Sequence, residues 1–259
     1  MLKAVVLGGL GLMFYSKIVD GTLNFYINQR FVWLSFVAVL ILSALALTLV
    51  YRLLESRRAS AQTPPHPDTY DDSAHDHEHD HAYAGHDHSH RLSWGTLGIM
   101  AIPLVLGLFV PARPLGASAV NSRGIGLTAP QRAGSVTQAQ RAVTGPKNVL
   151  DWLRDFSNNP DPHAFDGQAV DVVGFVYRDP RNGAEQIWVS RFAITCCVAD
   201  ASAVGLLVQT SEAASLKNDS WIHVTGKLLA GEFAGQKVPV IMPDKIEPTQ
   251  RPANPYLYP

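Results

Sequence analysis

The chain has 259 residues and carries 21 Lys and Arg against 22 Asp and Glu, a net charge of −1 at pH 7. That length leaves room for a membrane part plus one ordinary domain and excludes a large multidomain enzyme. The only two cysteines, Cys196 and Cys197, are adjacent, which excludes the spaced set that staples a small disulfide scaffold.

Residues 2–19 are almost all apolar, with Lys3 and Lys17 near the two ends, where long side chains can reach lipid headgroups. A signal peptide would begin in the same way, but Lys17, Asp20 and Gly21 follow where a small-x-small cleavage site would stand. The run therefore predicts an uncleaved membrane helix. Residues 31–54 form a second span, because roughly twenty consecutive residues carry no charge before Arg52. The short connection at 20–30 makes residues 1–54 an antiparallel two-span hairpin.

Residues 55–93 form a loop of different composition, predicted to be disordered, rich in Pro, acids and eight histidines, beginning at His66. His75, His77, His79 and His81 alternate with carboxylates, and His86, His88 and His90 repeat the scheme. On an extended chain these imidazoles share a side. On a helical turn His75 meets His79 and His77 meets His81, so either state presents two nitrogens to one ion. Neutral imidazole suits zinc, the preferred ion here, or another divalent transition metal such as copper, nickel or cobalt. A solvated linker with idle histidines is the alternative.

A third span is expected at 94–110, with Gly95, Gly98, Pro103 and Gly107 of the kind membrane helices tolerate; a buried soluble helix is the other reading. Arg52, Arg57, Arg58 and Arg91 flank the histidine loop and place it in the cytoplasm, while Arg113 and Arg123 oppose that orientation. The expected location is an integral protein of the plasma (inner) membrane, surrounded by the lipid bilayer, with the C-terminal domain extracytoplasmic. Residues 111–146 read as a flexible linker, whose Arg123, Arg132 and Arg141 would be solvated or touch headgroups or a partner.

From 147 to 247 a β-rich, OB-like small barrel with one short helix is expected. Val149, Leu150, Trp152, Leu153 and Phe156 mark the helix, which stops before Asn158-Asn159-Pro160. Five strand-like runs follow at 169–177, 186–197, 204–209, 221–229 and 237–246. Asp179-Pro180-Arg181-Asn182-Gly183 has the chemistry of a hairpin turn between the first two. The Pro-rich tail at 248–259 should be extended.

Cys196 and Cys197 close the second strand-like run, where a strand would point them to opposite faces. A metal site there needs a bulge or turn and would recruit Asp200, helped by a nearby histidine such as His223. A disulfide between neighbours needs unusual backbone geometry. The alternative is two small thiols that only pack. His163 reads as a surface loop residue. The chain contains no phosphate loop, nucleophile elbow or zinc-hydrolase signature, so no catalytic residues are assigned and an enzyme is not expected. Nor is nucleic acid an expected partner, since no concentrated basic and aromatic surface is legible.

The order of elements, with Gly174-Phe175-Val176-Tyr177-Arg178, Arg191-Phe192 and Cys196-Cys197-x-Ala199-Asp200-Ala201, resembles the YcgQ-like family over nearly the whole chain. The resemblance implies a small membrane protein working beside a larger multi-span membrane permease, with a C-terminal domain of unknown function. The reading that follows is an accessory permease subunit whose loop gathers zinc or a similar ion. The alternatives are a membrane-tethered binding or assembly module and a thiol-redox protein using the cysteine pair.

Overall fold

The computed structural model describes residues 2–61, 94–126 and 146–259. They form two compact units, one of Met1–Val19 with Leu34–Pro111 and one of Asp20–Trp33 with Ala112–Pro259.

The first unit is helical. Helix α1 (Leu2–Val19) ends at Asp20 and at Gly21, whose φ of 68° suits a residue without Cβ. Helix α2 (Val32–Ala61) has 30 residues, and α3 (Trp94–Phe109) has 16 with Pro103 inside it. Helices thus form at all three places expected for spans, but one helix among the described residues, over Gln29–Arg58, is long and apolar enough to cross a membrane. The reason is geometric: at 1.5 Å per residue α1 and α3 are about 27 and 24 Å long, short of the roughly 30 Å hydrocarbon layer. A Cβ on Gly9 would stand 3.0 Å from the end of the Leu104 side chain, so α1 and α3 pack closely here.

The larger segment of the second unit, Ala112–Pro259, begins where a loose tether was expected. Helix α4 (Ala117–Arg123) is followed by β1 (Ile125–Gly126), and the Asp219 carboxylate accepts from the α4 amide of Ala117. The first part of 111–146 is therefore structured, and residues 127–145 lie outside the described residues. Helix α5 (Val149–Asn158) starts at a capping box, in which Asn148 Oδ1 accepts from Leu150 and Asp151 while Asp151 accepts from the Asn148 amide.

Strands β2 (Ala169–Tyr177), β3 (Gln186–Ala193), β4 (Ser202–Gln209), β5 (Trp221–Phe233), β6 (Gln236–Pro248) and β7 (Tyr256–Leu257) follow. They form a mixed seven-stranded sheet in the order β1-β4-β6-β5-β2-β3-β7, with a further β3–β4 pairing. Antiparallel β2–β3, β3–β4, β5–β6 and β2–β5 pairs, with a parallel β4–β6 pair, connect five strands in a closed circuit. The expected turn joins β2 to β3: the buried Asp179 carboxylate accepts from the Arg181 amide and guanidinium, and Asn182 accepts from Trp188 Nε1.

Alternate residues of β2, β3 and β4 face two apolar clusters. Val172, Val176, Ile187, Val189, Leu206 and Val208 join Leu150, Trp152 and Leu153 of α5 on one side. Phe175, Trp188, Phe192 and Leu207 join Val120 of α4, Phe233 and Tyr256 on the other. Burial on both sides explains why these strands read as nearly continuous apolar runs. Three boundaries differ from expectation. Strand β3 stops at Ala193, so the cysteines are not on it. Strands β5 and β6 run on to a two-residue turn at Ala234 and Gly235, both with positive φ. The tail is extended but bound, because β7 pairs in parallel with β3 at Phe192↔Tyr256 and Ala193↔Leu257.

Candidate functional site

The chemistry-bearing cluster of the described residues lies in the turn between β3 and β4. Asp200 ends this turn, and its carboxylate accepts from the backbone amides of Thr195 (3.0 Å) and Cys196 (2.7 Å). This carboxylate, not a strand, shapes the backbone at the two cysteines. Both thiols are free, Cys196 exposed and Cys197 half-buried, with their sulfurs 3.7 Å apart.

Electrostatics tie the three side chains together. Hydrogen bonding to Asp200, then to Cys197, pushes the Cys196 thiol from its ordinary 9.0 to about 11. One thiol proton serves one acceptor at a time, and the carboxylate is the stronger. Burial acts to raise the Asp200 carboxyl, but the Cys196 thiol and the amides of Cys196, Thr195 and Cys197 outweigh it and hold the group below its ordinary 3.8.

The turn also captures a distant segment. The connection after α1 lies against it: Asn28 N donates to Cys196 O, Val198 N donates to Tyr26 O, both at 2.9 Å, and Ile27 pairs with Cys197 as an antiparallel bridge. Asn28 Nδ2 adds a 2.9 Å bond to Thr195 O. From the other flank Arg123 donates to Val198 O and Ala201 O, at 3.0 and 2.7 Å. Arg123, read from sequence as a linker residue, is thus a strut of the turn.

The C-terminal tail completes the arrangement. Tyr256 Oη accepts from Leu115 N (2.9 Å) and donates to Phe25 O (3.1 Å), and Gln29 Nε2 donates to Asn254 Oδ1. Beneath it the buried Arg191 guanidinium donates to the carbonyls of Pro255 (2.9 Å), Asn254 (2.8 Å) and Val173 (3.2 Å), and lies 5.2 Å from the Trp221 ring. Among the described residues no carboxylate pairs with it, and burial lowers its pKa to about 10 against the pull of Tyr258. Sequence reasoning missed Arg191, Tyr256 and Asn28 as site residues; a lone Arg in the apolar run of β3 was the one available signal.

Of the expected metal ligands, Cys196, Cys197 and Asp200 come together, but the Asp200 oxygens face backbone amides. The described residues contain no group of three or more His, Cys, Asp or Glu placed to hold a metal ion. His223 does not join them; its Nε2 is 2.6 Å from Asp171 Oδ1. His163 is exposed beside Asp166 at 3.0 Å. His75, His77, His79, His81, His86, His88 and His90 lie outside the described residues.

Fold and site together define a class: a chain with an apolar, span-length helix near its N-terminus and a mixed-sheet domain whose Cys-Cys-Asp turn holds the connection between the first two helices. The chain belongs to the DUF1980 family, whose N-terminal domain matches residues 2–126 and whose C-terminal domain matches residues 126–259. It is 27% identical to the UPF0703 protein YcgQ of Bacillus subtilis (strain 168) over 288 aligned positions, covering 100% of this chain and 99% of that protein. It is also 27% identical over 198 positions to a Streptococcus mutans serotype c protein named "Putative two-component membrane permease complex subunit", covering 62% of this chain and 72% of that one.

Proposed function

We propose that this protein is an accessory subunit of a membrane permease complex, integral to the plasma membrane, with its helices set against a multi-span partner and its sheet domain at the membrane surface. The observation that carries the reading is the surface of α2. Only 6% of its most apolar stretch is buried within the chain, and Phe36, Leu40, Ile41, Leu45 and Leu47 are all exposed. So much apolar area on one helix requires cover by lipid or by other helices. The name of the Streptococcus mutans relative supports a partnered permease over a lone anchor.

In this reading α1 and α3 are shorter membrane-embedded helices beside α2, and the closed pairing circuit of the domain is an OB-like barrel. The bound connection supports keeping residues 20–33 with the domain. Arg52, Arg57, Arg58 and Arg91, which flank the histidine segment, are the reason to place that segment in the cytoplasm and the domain outside it. The proposed role involves no catalytic step. Purification from native membranes in mild detergent tests it. A multi-span membrane protein should co-purify in fixed stoichiometry, and a protein that emerges alone would contradict the proposal.

Metal handling by the histidine segment is a finer part of the same proposal and rests on its residues alone. Its imidazoles should bind zinc at neutral pH and lose it below about pH 6 as they protonate. Replacing His75, His77, His79 and His81 by Ala should remove much of the uptake; unchanged uptake would contradict the ligand assignment.

A further inference from the structure

We propose that Cys196 and Cys197 are a thiol–disulfide site that controls whether the connection between α1 and α2 stays bound to the sheet domain. Three observations combine. The two free sulfurs are 3.7 Å apart, and one of them is exposed, so an external disulfide can reach the pair. The turn is rigid where it matters, because Asp200 fixes the amides of Thr195 and Cys196. The peptide that a bond between the sulfurs would twist, the one joining Cys196 to Cys197, carries the Cys196 O that accepts from Asn28 N. This is one of the two hydrogen bonds that frame the Ile27–Cys197 bridge; the other runs from Val198 N to Tyr26 O.

The chemistry balances with a small-molecule disulfide as oxidant. One cysteine thiolate attacks a sulfur of R–S–S–R, forming a mixed disulfide and releasing one RS⁻. The neighbouring thiol then gives up its proton and displaces the second RS⁻, closing the Cys196–Cys197 bond. Two thiol hydrogens leave the protein, and two RSH form. The sulfurs must approach from 3.7 Å to about 2.05 Å, which rotates both side chains and the peptide between them. The Cys196 carbonyl belongs to that peptide and cannot keep its direction toward Asn28 N, and with this bond lost the bridge at Cys197 opens and the bond from Val198 N to Tyr26 O is weakened in turn. Oxidation and binding of the connection therefore oppose each other, and reduction restores the bound form. This site stands apart from the permease reading, since it concerns contacts within one chain.

The test uses the full-length protein in detergent, equilibrated with glutathione disulfide or with dithiothreitol. Alkylation and mass spectrometry count free thiols, and hydrogen exchange follows the amides of Asn28 and Val198. Oxidation should remove both alkylatable thiols, lower the mass of the monomer by two hydrogens, and speed exchange at both amides by about tenfold or more. Dithiothreitol should reverse all three, and Cys197→Ser should abolish the exchange response. The proposal is overturned if both thiols persist in glutathione disulfide, if stable glutathione adducts or linked dimers form in place of the internal bond, or if the bond forms with exchange unchanged.

Discussion

Asp200 is the residue on which the cysteine turn rests, and its charge makes that role pH-dependent. Its folded carboxyl titrates below the ordinary 3.8, so its contribution to stability is present above that value and is lost as pH falls through the folded one. Cys196 behaves in the opposite sense. Its folded pKa is raised, so its contribution is complete below 9.0 and disappears as pH climbs through about 11. In Asp200→Asn the alkylation rate of Cys196 should rise at a lower pH than in the parent, because the largest cause of the raised pKa is gone. Peptide-resolved alkylation across pH 8–12 checks this, and coincident profiles would remove Asp200 as the cause. Arg191 matters through geometry. Arg191→Met keeps much of the stem but leaves three carbonyls without their donor, at a cost of roughly 2–4 kcal/mol. Thermal melting should show the loss, with faster exchange at Ile194 N, which donates to Leu257 O of the tail.

Among the elements, helix α5, strand β2 and the Asp179 turn were legible because their signals are local: an apolar helical face after Asn148, and a Pro-Arg-Asn-Gly turn between apolar runs. The end of β3 was not. From Ala193 to Val198 every residue but Thr195 is apolar, and what stops the strand is the Asp200 carboxylate reaching back to two amides. No periodicity encodes that contact. Strand β7 was hidden for a similar reason, since the Pro-rich tail is held by distant groups: Arg191 donates to its carbonyls from beneath, and Ile194 N donates to Leu257 O. The β2–β3 contact offers a test of the pairing itself. A Cβ on Gly174 would stand 2.6 Å from the backbone oxygen of Ser190, which cannot move without the strand. Gly174→Ala should therefore destabilise the domain by about 1–3 kcal/mol in denaturant unfolding.

For the whole molecule, the family boundary and the structural one do not coincide. The N-terminal family domain ends at residue 126, yet residues 20–33 and 112–126 belong to the unit that carries the sheet. The first half of the sequence thus supplies the connection that Cys196 holds, the α4 helix under Phe175 and the strand beside β4. Contacts of this kind span more than 160 residues, as between Asn28 and Thr195, and leave no trace in local pattern. The span-length apolar helix was legible because its signal is composition over length alone. The two shorter helices were legible as helices, but their lengths make a span reading depend on partners that a single chain does not contain.

That dependence makes α2 the place to test the central proposal. Photo-reactive side chains introduced in turn at Phe36, Leu40, Ile41 and Leu47, all exposed on α2, report what covers the helix in native membranes. An accessory permease subunit should give, from at least one of these positions, a strong crosslink to one multi-span membrane protein. Crosslinks to lipid alone from all four positions would contradict that account.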